Sequence, residues 1–125
     1  PLLGVYLSGL FRQSGWHIAH RHTCAAGMAF LQDRGAAVAL WEDGLPDGRW
    51  QEAAGALNAL PNAPSWIVVG DDAGLAREVV ALGGFDALVR PLRETDVIWT
   101  VASAWHAWMK RVEDVARGVA RCSDA

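Results

Sequence analysis

Most of the features that would give a short chain an obvious role are missing from this one. Its two cysteines, Cys24 and Cys122, are far apart and match neither a paired nor a metal-binding spacing. Reduced thiols in a cytoplasmic setting are therefore the expectation. A basic excess is also missing: 11 Lys and Arg stand against 14 Asp and Glu, for a net charge of −3. With no basic stripe either, a nucleic-acid surface is excluded from the expected partners. No apolar stretch approaches membrane-spanning length, and no signal peptide is recognisable. There is no glycine-rich phosphate loop, no Ser-His-Asp order and no Cys-His nucleophile arrangement. Internal repeats, low-complexity tracts and linkers are lacking too. What is present is 125 residues, 52% apolar and 20% charged. That composition describes one folded domain with a real core and no room for a second.

The chain is organised around Ala36 to Gly48, AAVALWEDGLPDG. Ala36 to Trp41 is a short apolar run closed by turn residues, which predicts a buried strand. Alternation sends Val38, Leu40 and Glu42 to one side and Ala37, Ala39, Trp41 and Asp43 to the other. One carboxylate, Glu42, thus reaches the C-terminal tip of the strand in line with core residues. In open α/β sheets that edge is where sites form. Around this strand, Pro1 to Ser14 carries apolar residues at helical spacing, and Trp16 to Thr23 reads as a short strand near an edge. Thr23 is placed to cap a helix from Cys24 to Arg34. Trp50 to Leu60 is predicted helical, Ser65 to Gly70 a buried strand, and Leu75 to Leu82 a short helix ending at Gly83-Gly84. Phe85 to Val89 follows as a third buried strand. Glu94 to about Ala120 reads as one long helix. Strand alternating with helix predicts a parallel sheet covered on both faces.

Leu45-Pro46-Asp47-Gly48 after an apolar strand, and Ala87-Leu88-Val89-Arg90-Pro91-Leu92 after Gly83-Gly84, together resemble the receiver domain of bacterial response regulators. The resemblance runs from Pro1 to about Trp108. It implies a flavodoxin-like α/β fold with a parallel sheet of order 2-1-3-4-5, helices on both faces and a long C-terminal helix. It also implies that the first strand, central in that order and bearing an acidic pair for Mg²⁺, is missing from the fragment. Residues 1–110 correspond to the receiver-like domain and 111–125 to a helical extension.

Carried over position by position, the resemblance puts Glu42 where the family has its phosphate-accepting Asp. Gly70 replaces the strand-four hydroxyl, Arg90 the strand-five Lys and Ala87 the aromatic switch residue, while Pro91 matches. Asp71 lines the same site. These departures fall on reactive positions. Glutamate is one methylene longer than aspartate and cannot share its attack geometry, whereas Arg90 can hold a carboxylate in bidentate fashion. The bland alternative for Glu42 and Arg90 is a solvated strand-end pair. Asp43 is the rival acceptor, although alternation turns it away from Glu42 unless a bulge intervenes. Asp71 and Asp72 read equally as loop or helix-start charges. His20 and His22 share a strand face at metal-ligand spacing but lack a third ligand, so surface histidines are the simpler reading. On the last helix, Trp105, Trp108 and Val112 mark an interaction stripe that either self-associates or forms an amphipathic tail.

The functional expectation is a degenerate receiver. It is a non-enzymatic protein–protein module of a two-component phosphorelay, without cofactor unless an upstream acidic pair supplies Mg²⁺. Its partners would be a histidine kinase or an output protein, with a weak homodimer through the last helix, and no nucleic acid or membrane. The alternatives are a receiver phosphorylated on Asp43 and an unrelated flavodoxin-like enzyme or ligand-binding domain.

Overall fold

The computed structural model describes residues 17–117. In chain order the elements are α1 (Cys24–Asp33), β1 (Val38–Glu42), α2 (Trp50–Ala59), β2 (Ser65–Gly70), α3 (Leu75–Ala81), β3 (Asp86–Val89) and α4 (Glu94–Arg117). The three strands form a parallel sheet in the order β1-β2-β3. β2, a run of β-branched and aromatic residues with no charge, lies in the middle and is buried along its whole length.

The period of two sorts the core into two layers. Ala39, Trp41, Trp66 and Val68 face Leu31 of α1, Trp50, Ala54 and Leu57 of α2, and Leu75 and Val79 of α3. Val38, Leu40, Ile67, Val69 and Leu88 face Val97, Val101 and Ala104 of α4. Trp66 anchors the first layer. Its ring lies 6.1 Å from that of Trp50. Its Nε1 donates to Asn58 Oδ1 at 2.9 Å, so the indole is buried without an unpaired donor. A Cβ on Gly84 would collide with Val79 and come within 2.8 Å of the Trp66 ring, which explains why a glycine leads into β3.

Helix starts follow local chemistry. Thr23 Oγ1 accepts from the Ala26 N–H at 3.1 Å. The Asp47 carboxylate, from the turn after β1, accepts from the N–H groups of Cys24 (2.7 Å) and Ala25 (3.0 Å). Three of the four orphan donors of α1 are thereby satisfied, two of them by a residue more than twenty positions downstream. Asp72 Oδ1 accepts from Gly74 N–H at 3.0 Å and its carbonyl from Leu75 N–H at 3.1 Å, so Asp72 opens α3.

Several sequence expectations are corrected. Residues 17–23 form no strand. A strand exists only through its ladder, and this segment is hydrogen-bonded to no strand among the described residues. A groove of about 950 Å³ separates it from β1, with His17 to Arg21 on one wall and Val38 to Glu42 on the other. β1 begins and ends later than expected, because its pairing extends from Ser65 N–H on the Ala37 carbonyl to Asp43 N–H on the Val69 carbonyl. β3 is not a fully buried strand: among the described residues it has a neighbour on one side only, and of its own residues only Leu88 is buried. The long helix is unbroken through Lys110 to Arg117. The helix expected over Pro1 to Ser14, Trp16, and the chain from Gly118 onward lie outside the described residues.

Candidate functional site at the C-terminal edge of the sheet

The three strands end in register at one edge. Glu42 is the last residue of β1 and pairs with Val69; Gly70 ends β2 and pairs with Val89; Arg90 follows β3 and donates its N–H to the Gly70 carbonyl at 2.8 Å. Glu42 continues the Val38–Leu40 row and Arg90 follows Leu88, so both lie toward the α4 face. One strand separates them, which places their backbones on the order of 10 Å apart at the usual strand spacing. Only two long side chains can close that distance. Arg90 Nη2 donates to Glu42 Oε2 at 3.1 Å, and Arg90 Nη1 lies 3.6 Å from Asp71 Oδ1. The Arg90 and Glu42 side chains keep 37% and 28% of their exposure, against 83% for Asp71, so the Glu42 contact is the better shielded of the two. The Arg90–Pro91 peptide is cis.

Gly70 lies on the opposite face, with Asp43. A Cβ placed there would lie 2.8 Å from Leu75 Cδ2 and 3.3 Å from the Asp43 Cβ. Leu75 is buried at the start of α3, so its side chain occupies the space that a hydroxyl residue on this strand would need. Asp43 is exposed and its N–H is tied into the β1–β2 ladder; no bulge brings it to the Glu42 side. Ala87 is half-buried against the first core layer and leaves no aromatic ring at that position.

The remaining candidates lie elsewhere. His20 and His22 meet edge to face with ring centroids 4.8 Å apart. Burial, with the neighbouring His22 second, pushes the His20 imidazole below its ordinary value. Among the described residues no group of three or more His, Cys, Asp or Glu is arranged to hold a metal. Burial raises the Cys24 thiol above its ordinary range, which disfavours the reactive thiolate. The Ala25 and Cys24 N–H groups hold Asp47 below the usual carboxylate range. On α4, Trp108 Nε1 donates to the Asn62 carbonyl at 3.1 Å, and Trp105 is half-buried at the groove beside β1. Val112 is half-buried, whereas Trp99 is exposed, at 75%. Arg111 Nη2 reaches back to the Ala63 carbonyl (3.2 Å) and Ser65 Oγ (3.1 Å), tying α4 beyond Lys110 to the loop before β2.

Sequence reasoning missed Leu75, Asp47 as a helix cap, and Arg111. Asp47 stood in a turn motif, but the helix it caps precedes it by more than twenty residues. Nothing local marked the other two.

Solved structures carry the same architecture. The signal receiver domain of a Luxo repressor protein from Vibrio parahaemolyticus superposes with a TM-score of 0.81 at 18% identity, covering 94% of this chain and 90% of that one. The chain has the receiver-domain fold. A CheY-like response regulator receiver domain from Methanospirillum hungatei gives a TM-score of 0.73 at 19% identity, with 86% and 87% of the two chains covered. The NtrX receiver domain from Brucella abortus gives 0.65 at 15% identity over 81% and 88%. Against a longer NtrX chain the match covers 91% of this chain and 28% of that one. No protein-family model and no curated protein sequence matches the chain.

Proposed function

We propose that this receiver-fold chain is a degenerate receiver: a protein–protein signalling module of a two-component-type pathway in which Glu42 stands at the phosphoacceptor position and phosphoryl chemistry is lost. The observation that carries this reading is the 3.1 Å contact of Glu42 with Arg90. An acyl-phosphate-forming site needs a free carboxylate oxygen in line with a donor, a divalent metal to neutralise charge, and a cation for the product. Here the carboxylate and the cation already satisfy each other, and the longer glutamate reaches outward toward where a phosphorylated aspartate would extend. The described residues do not fit Mg²⁺. Glu42 is paired with a guanidinium, Asp43 lies on the other face, and no three metal-ligand side chains converge among the described residues. On this reading the module catalyses no reaction of its own. Its partners are a histidine kinase or an output protein, met in the cytoplasm through surfaces that the Glu42–Arg90 contact holds in one arrangement.

The test is intact-mass measurement after incubation with acetyl phosphate and Mg²⁺. The unmodified mass is expected. A stoichiometric, hydroxylamine-labile phosphate on Glu42 or Asp43 would overturn the reading, and the second site would establish Asp43 as the acceptor.

A further inference from the structure

We draw no further inference here: the strongest candidate, the surface apolar side chains Val80 on α3, Val89 at the end of β3 and Trp99 on α4, carries nothing, because nothing in the structure shows what covers them.

Discussion

Gly70→Thr restores a hydroxyl residue at the end of β2 and is expected to destabilise the domain instead of repairing the site. The new Cβ would arrive 2.8 Å from Leu75 Cδ2, inside any normal carbon–carbon contact. Leu75 is 3% exposed and packs within the first core layer, so it cannot swing into solvent without leaving a void. Overpacking of this kind costs about 1–3 kcal/mol. Leu75→Ala alone loses apolar burial and opens a cavity, for about 2–5 kcal/mol. The two changes compete for one volume, so the double variant should be more stable than the sum of the single losses by at least about 1 kcal/mol, within the range of coupling for residues in contact. Urea denaturation of the four proteins, with equal m-values, measures that coupling. Strict additivity would refute the reasoning, because it would mean that Leu75 does not fill the position of the hydroxyl.

Three further outcomes are expected. A double-mutant cycle on Glu42→Ala and Arg90→Ala should give a coupling of about 0.2–1 kcal/mol that shrinks in high salt, since both side chains are partly exposed; a salt-independent value would show that the pair is not electrostatic. Asp47 has its pKa lowered in the folded state from a reference of 3.8 by the N–H groups of Ala25 and Cys24. Its stabilisation is therefore fully present above that reference and lost as pH falls through the lower folded value, and Asp47→Asn should flatten the acid limb of the stability curve below about pH 4; identical acid limbs would remove the cap from the account. A chain ending at Lys110 loses the Arg111 bonds to Ala63 and Ser65 and should melt earlier. If the valines at 112 and 115 also hold a dimer, sedimentation should show a concentration-dependent mass that truncation abolishes.

How much of this was legible in the sequence depended on whether the deciding interaction was local. β2 was bounded to the residue because an uninterrupted SWIVVG run between prolines and a glycine has no other good home. Thr23 was legible as a cap because its bond spans one turn. Residues 17–23 have strand-like composition, but a strand needs a partner, and pairing is a tertiary event that composition does not record. Phe85 to Val89 carried the apolar signal of a buried strand and is an edge among the described residues for the same reason. At the site, the positions of Glu42, Gly70 and Arg90 followed from alternation and the two motifs. That Arg90 also reaches Asp71, and that Leu75 fills the space above Gly70, depended on contacts between separate elements.

The central claim is that Glu42 and Arg90 satisfy each other and leave no acceptor for a phosphoryl group. NMR titration of the chain with beryllofluoride and Mg²⁺, an acyl-phosphate mimic that requires a free carboxylate and a metal, tests it most directly. The account predicts that the amides of Glu42, Asp43, Gly70 and Arg90 do not shift at saturating beryllofluoride. A saturable, Mg²⁺-dependent shift centred on those residues would contradict it.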